Sequence, residues 1–245
     1  MSNQRESSNL LVIIATYNEI ESLPRLVASI SQLLPRAFIL VIDDNSPDGT
    51  GQWCRRHAKS TDQFFVIHRA GKLGLGTATI EGLRYALAND FDFVATLDAD
   101  FSHDPEILKE MWERTIDPNA TKYDVMIGSR YVAGGEIHGW PLSRRISSSL
   151  VNLYARYVLG LSTKDNTSAF RLYRTEILRR IELGKIESTG YSYLEEILLM
   201  LKHAKASFSE ISIRFVNRQE GDSKVNLREL IGSLLQILRL SFKRS

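Results

Sequence analysis

Near-continuous apolar runs alternate with segments of helical period through the first half of the chain. Leu10 to Ala15 reads as a first strand. Leu23, Leu26, Val27, Ile30 and Leu34 then recur at helical spacing until Pro35 stops the pattern, and Phe38 to Ile42 is a second buried strand. Together these form a βαβ unit. The strand signal returns at Phe64 to His68 and at Phe93 to Leu97, with a helix from about Thr77 to Ala88 between them. Another helix opens at the Asp104-Pro105 start signal, and Val125 to Ser129 adds a further strand. The pattern predicts an α/β fold, a mostly parallel central sheet with helices on both faces.

The second half is less regular. A Gly-rich loop from Gly134 to Pro141 precedes an apolar helix from about Ile146 to Leu159 and a short strand from Phe170 to Tyr173. Tyr193 to Leu201 has helical spacing, Ile211 to Val216 reads as one strand, and Asn217 to Lys224 is a polar loop before a last helix. No composition shift marks a linker and no internal repeat is present. The expected organisation is a polar tail at 1–9, one domain at 10–225 and an amphipathic C-terminal helix at 226–245.

Composition narrows the class. With 245 residues, 43% hydrophobic and 24% charged, the chain is too apolar for disorder and long enough for a sizeable core. A net charge of +2 argues against nucleic acid as a partner, and the single Cys54 excludes both an internal disulfide framework and a Cys-rich zinc site. Met1 to Asn9 lacks the apolar region of a signal peptide, so a cytoplasmic location is expected. The longest apolar stretch, Leu230 to Leu238, falls far short of the roughly 20 residues that span a bilayer. In the last helix, Leu227, Leu230, Ile231, Leu234, Leu235 and Leu238 form one stripe, with Arg228, Arg239, Lys243 and Arg244 beside it. That is the pattern of a helix lying on a membrane surface, so the expected protein is peripheral on the cytosolic face.

In an open α/β sheet, ligands bind beyond the carboxyl ends of the strands. The residues there are polar in every case: Thr16-Tyr17-Asn18-Glu19, then Asp43-Asp44-Asn45-Ser46-Pro47-Asp48-Gly49-Thr50, then Asp98-Ala99-Asp100-Phe101-Ser102-His103, and Arg130-Tyr131. Alternate residues leaving a strand can aim both carboxylates of Asp98 and Asp100 at one hard cation, Mg²⁺ or Mn²⁺, that also holds phosphate oxygens. The segment Gly71 to Ala78 fails both phosphate-loop and dinucleotide patterns and reads as a tight turn into a helix near the nucleotide. Arg144 and Arg145, at a helix start with Ser147, Ser148 and Ser149, suit a phosphate. Arg218 and Lys224 flank a loop with Gly221 at its centre, which can close over an anion. The five histidines show no zinc spacing, and Cys54 reads as a packing residue.

These segments, in this order, resemble the dolichyl-phosphate (polyprenyl-phosphate) mannosyltransferases, inverting glycosyltransferases of the GT-A fold. Gly74-Leu75-Gly76-Thr77-Ala78, Gly128-Ser129-Arg130-Tyr131, Gly139-Trp140, Phe170-Arg171 and Arg218 to Lys224 complete the match. The resemblance implies transfer of mannose from GDP-mannose to a polyprenyl or dolichyl phosphate at a membrane surface, with Mg²⁺ or Mn²⁺ and with a small membrane-anchoring subunit as a further partner. It places Tyr17, Glu19 and Asp43 on the nucleoside and Asp98 and Asp100 on the metal. Asp100, Arg130 and Arg218 become the catalytic set, Lys224 a further phosphate contact, and Arg144 with Ser148 the site of the acceptor phosphate. Ala15, Ser102 and Ala169 depart from the usual pattern, and Ser102 leaves a third metal ligand open. A phosphate acceptor is already an anionic nucleophile, consistent with the lack of an evident general base. The rival readings are a polyprenyl-phosphate glucosyltransferase or another UDP-sugar transferase on the same fold, and a nucleotide-binding regulator without catalysis.

Overall fold

A computed structural model describes residues 8–188 and 190–216. Strands β1 (Leu10–Thr16) and β2 (Phe38–Asp43) run parallel, connected by α1 (Leu23–Leu33), whose apolar stripe of Leu23, Leu26, Val27 and Ile30 faces the sheet. Helix α2 (Thr50–His57) leads to β3 (Phe64–His68), and α3 (Leu75–Ala88) crosses back to β4 (Phe93–Asp98) on the other side of β1. Helix α4 (Pro105–Ile116) opens where its sequence signal stands: the Asp104 carboxylate accepts the Glu106 amide at 2.9 Å, and Pro105 occupies the first turn. After β5 (Val125–Ser129) come β6 (Glu136–His138), α5 (Leu142–Tyr157), β7 (Arg171–Arg174), α6 (Thr175–Leu178), α7 (Tyr193–His203), β8 (Phe208–Ser212) and β9 (Arg214–Val216).

The main sheet has the order β3-β2-β1-β4-β7-β5-β8, and β7 alone runs against its neighbours. Strand residues alternate between two apolar layers, as the period of two demands. Leu11, Ile13, Leu40 and Ile42 pack with α3, α5 and α7 on one face, while Leu10, Val12, Ile14, Ile39 and Val41 pack with α1 and α4 on the other. Because both faces are covered, these strands read in sequence as unbroken apolar runs.

Three features depart from the sequence expectation. Ile211 to Val216 is not one strand: the chain leaves the main sheet at Ile213, whose amide donates to the Ser129 carbonyl at 3.0 Å, and continues as β9 in a second small sheet. Its partner there is β6, three residues inside what reads as a Gly-rich loop. Helix α5 starts at Leu142, directly after Pro141, four residues earlier than its apolar period indicates. Among the described residues no helix is long and apolar enough to cross a membrane. The expected C-terminal helix at 226–245, most of the N-terminal tail, and both Arg218 and Lys224 lie outside the described residues.

Candidate active site

Register decides what meets at the carboxyl edge of the sheet. Thr16 pairs with Asp43, Ala15 with Asp98, and Asp43 with His68, so the three polar segments leave the sheet at one level. The chain runs outward from β1 to β2 and β3, then returns to β4 on the opposite side, which opens a crevice between the ends of β1 and β4.

On one side of the crevice lie the residues expected at the nucleoside. Asp43 is buried, and its carboxylate accepts the Ser46 hydroxyl at 2.5 Å with His68 Nδ1 3.4 Å away. A Cβ at Gly51 would come within 2.5 Å of that carboxylate, so α2 can approach Asp43 only because this position is glycine. Glu19 is also buried; its amide donates to Thr50 Oγ1 and its carboxylate accepts the Ser22 hydroxyl, both at 3.0 Å. The Tyr17 ring carries Lys72 Nζ 4.3 Å above its centre. Lys72 belongs to the Gly71–Gly74 turn, which Asp44 ties down by accepting the Leu73 and Gly74 amides at 3.1 and 3.0 Å. That turn does lead into a helix, as its sequence indicates, and its position beside Tyr17 puts it at the crevice.

Asp98 ends β4 and Asp100 lies two residues beyond. Ser102 donates to Asp100 Oδ1 through both its amide (3.0 Å) and its hydroxyl (2.6 Å), which orients that carboxylate. The Asp98 amide donates to His103 Nδ1 at 3.0 Å, so Nδ1 is the acceptor and carries no proton. Burial holds the His103 pKa below its ordinary value, against the opposing pull of Asp98 and Asp100. The ring stacks on Phe170 at 4.9 Å. His103 therefore acts as a neutral brace for the Asp-x-Asp turn. Hard carboxylate oxygens at half-buried positions fit a divalent cation, and no group of three or more metal-binding side chains occurs among the described residues. This donor set suits an ion that takes its remaining ligands from a bound diphosphate and water.

Across the crevice, Arg130 follows β5 and is buried against Asp165. The Asp165 carboxylate accepts the Arg130 amide at 2.9 Å and both Nε and Nη2 at 2.8 Å, and Nη2 also reaches Thr167 Oγ1 at 2.7 Å. Burial alone would raise Asp165, but the Arg130 charge and its hydrogen bonds hold the carboxyl below the usual range; the same partner holds Arg130 above its ordinary value. Thr167 Oγ1 lies 3.1 Å from Ser148 Oγ, linking this ion pair to α5. Arg130 and Arg144 both lie on the Trp140 indole, at 4.9 and 4.1 Å from its centre. Burial, then the nearby Arg130 charge, lower the Arg144 pKa, while Asp98 and Asp100 are close enough to oppose that shift.

The structure thus brings Asp98, Asp100, Arg130, Arg144 and Ser148 to one place and sets Tyr17, Glu19 and Asp43 beside the crevice. It separates Arg145 from Arg144: Arg145 is exposed and donates to the Ile137 carbonyl at 2.6 Å. Arg171 is fully buried, with its donors on the Leu194 and Asn166 carbonyls at 2.9 and 2.8 Å, so it supports the core and not an anion. Sequence reasoning missed Asp165 and the bracing His103. A lone Asp in a polar loop has no readable signal; His103 had one, three residues after Asp100, but without metal spacing.

Comparisons with known proteins identify the family and the fold. The family model described as glycosyl transferase family 2 matches residues 11–182. The undecaprenyl-phosphate mannosyltransferase of Micrococcus luteus is 41% identical over 217 residues, covering 89% of this chain and 87% of that relative. The polyprenol monophosphomannose synthase of Mycolicibacterium smegmatis is 38% identical over 229 residues, covering 92% and 85%. In fold, the chain is similar to glucosyl-3-phosphoglycerate synthase from Mycobacterium tuberculosis, solved with Mn²⁺, UDP-glucose and phosphoglyceric acid. That likeness has a TM-score of 0.67 at 18% identity, over 96% of this chain and 80–81% of that one in related complexes. The mostly parallel sheet and its edge of converging loops are the GT-A arrangement, and the chain belongs to glycosyl transferase family 2.

Proposed function

We propose that this protein transfers mannose from GDP-mannose to the phosphate of a polyprenol, with inversion at the sugar carbon. The observation that carries this reading is the placement of Arg144 and Ser148 on α5 within electrostatic reach of the Asp98 and Asp100 carboxylates, with Arg130 and Arg144 sharing the Trp140 indole. A cation beside a hydroxyl suits a phosphate acceptor, and the names of two relatives at 38–41% identity point to the same lipid class and the same sugar.

In this mechanism an oxygen of the acceptor phosphate attacks the anomeric carbon as the bond from that carbon to the diphosphate oxygen breaks, and the bonding electron pair leaves with the diphosphate. The acceptor is an anion at neutral pH, so no protein base has to remove a proton. Arg144 and Ser148 orient it. Tyr17, Glu19 and Asp43 hold the nucleoside end of the donor, and Arg130, together with Arg218 and Lys224, which lie outside the described residues, would supply positive charge where the diphosphate develops negative charge. A divalent cation, Mg²⁺ or Mn²⁺, would be held by Asp98 and Asp100 and would stabilise the charge on the leaving diphosphate. The lipid acceptor places the protein peripherally on a membrane.

The test is transfer of labelled sugar into an organic-extractable product, with GDP-mannose and UDP-glucose compared in the presence and absence of Mn²⁺ and with a prenyl phosphate as acceptor. Mannose transfer from GDP-mannose that requires the prenyl phosphate is the expected result. Faster turnover of UDP-glucose, or transfer to a sugar hydroxyl in place of the phosphate, would overturn the reading.

A further inference from the structure

Helix α5 carries an exposed apolar stripe that the reaction does not use. Leu142, Ile146, Leu150, Leu153 and Tyr157 are 72%, 51%, 56%, 51% and 74% exposed. At about 100° per residue they fall within about 80° of arc, on a line about 22 Å long. The opposite side of the same helix, Ser148, Val151, Asn152 and Ala155, is buried. A helix packed on its own domain shows one apolar face inward and a polar face outward; this one is apolar outward as well. Single exposed leucines are ordinary, but five in one line are not.

The charges beside the stripe are of one sign. Between Leu142 and Tyr157 the helix contains Arg144, Arg145 and Arg156 and no acidic residue, and Arg145 and Arg156 are exposed along one border of the stripe. Apolar side chains in a row with arginines at the rim complement an anionic lipid surface, where the stripe enters the acyl boundary and the guanidiniums meet headgroups. Sixteen residues cannot span a bilayer, so the helix would lie flat on it. Arg144 and Ser148 lie on the other side of the same turns, about one helix diameter (roughly 10 Å) from the stripe, so a stripe at the acyl boundary would set the acceptor pair at headgroup depth.

We propose that the outward stripe of α5 is a membrane-docking surface that presents the Arg144–Ser148 pair to a lipid-borne phosphate. This rests on the acceptor reading above for its purpose but not for its test. Cys54 is fully buried, and burial pushes its thiol up to about 12, so a cysteine introduced at an exposed position is labelled selectively. The full chain carrying Leu150→Cys is labelled with an environment-sensitive fluorophore and mixed with phosphatidylcholine vesicles with or without phosphatidylglycerol.

The expected result is a blue shift on adding phosphatidylglycerol vesicles, quenched by spin-labelled lipid, with Arg145→Glu/Arg156→Glu weakening vesicle binding by about tenfold or more. No change on adding vesicles would overturn the proposal. So would a blue shift already present without lipid: loss of that shift on dilution would assign the surface to a second copy of the chain, and loss on ending the chain at 225 would assign it to the C-terminal segment. A second measurement uses Leu150→Glu/Leu153→Glu. Transfer to a short, water-soluble prenyl phosphate should stay within about twofold of the parent, while transfer to a long-chain acceptor in vesicles falls by about tenfold. Equal losses on both acceptors would count against the surface. If the parent chain transfers sugar to neither acceptor, the acceptor reading falls, and the fluorescence measurement still decides the surface.

Discussion

Asp165→Asn probes the ion pair that braces the acceptor side, and its cost can be worked from the hydrogen bonds. Oδ2 of Asp165 accepts the Arg130 amide and Nε, and Oδ1 accepts Arg130 Nη2 and the Thr167 hydroxyl. An asparagine offers one oxygen, so in either orientation its NH₂ group faces two donors. Both side chains are buried, and the Arg130 charge is left without its counter-charge. Two donors without acceptors, one of them on the charged guanidinium in either orientation, correspond to about 3–5 kcal/mol, the range for breaking one side of a buried pair.

For a chain of this size each kcal/mol moves the melting temperature by about 2–4 °C, so the variant should melt about 6–20 °C lower. Urea unfolding at pH 7 measures the free energy directly, and the chain should still fold, since the loss lies inside ordinary domain stability. The pair also has a pH signature. Asp165 is held below its ordinary value of 3.8, so its contribution is complete above that pH and is lost as pH falls through the lower folded-state value. The parent should therefore lose stability in acid more steeply than the variant. In a cycle with Arg130→Met, the double variant should lose less than the two single losses combined. A single variant within about 1 kcal/mol of the parent, or strict additivity in the cycle, would refute the assignment.

Three further outcomes follow from the geometry. Asp98→Asn and Asp100→Asn should each lower kcat about 10²- to 10³-fold and abolish Mn²⁺-dependent binding of GDP in calorimetry, with melting temperature little changed; near-parental turnover of both would remove the cation assignment. Arg144→Ala should raise the acceptor KM by about tenfold or more while donor affinity stays near the parent's, since a contact to a charged ligand is worth about 1.5–3 kcal/mol; a loss confined to the donor would contradict it. Glu195 is buried on α7, and burial, aided by Asp165 and opposed by Arg171, raises its pKa to about 8. Such a group stabilises the fold at low pH and loses that contribution as pH rises toward 8, at about 1.4 kcal/mol per pH unit, so Glu195→Gln should gain stability over the parent from pH 5 to pH 8 in urea melts. A constant difference across that range would show that Glu195 does not titrate as described.

What the sequence determined by itself was the set of elements whose signal is local. Strands Phe64–His68 and Val125–Ser129 stand where their apolar runs begin and end, and Asp104 caps the helix it introduces, because burial on both faces and capping chemistry are written in neighbouring residues. The polar segments at the strand ends were legible for the same reason, and so was the pairing of Asp98 with Asp100. Tertiary structure decided the rest. The crossing from β8 to β9 at Ile213 depends on a hydrogen bond to Ser129, some eighty residues away, and β6 exists only because β9 pairs with it. Arg130 and Arg171 look alike as arginines beside short strands, yet one meets Asp165 and the other meets two backbone carbonyls in the core. Arg144 and Arg145, adjacent in the chain, point to different partners because successive residues on a helix lie about 100° apart. The outward stripe of α5 reads in sequence only as part of an apolar helix, since a pattern of apolar positions shows that a face is apolar but not whether the fold covers it.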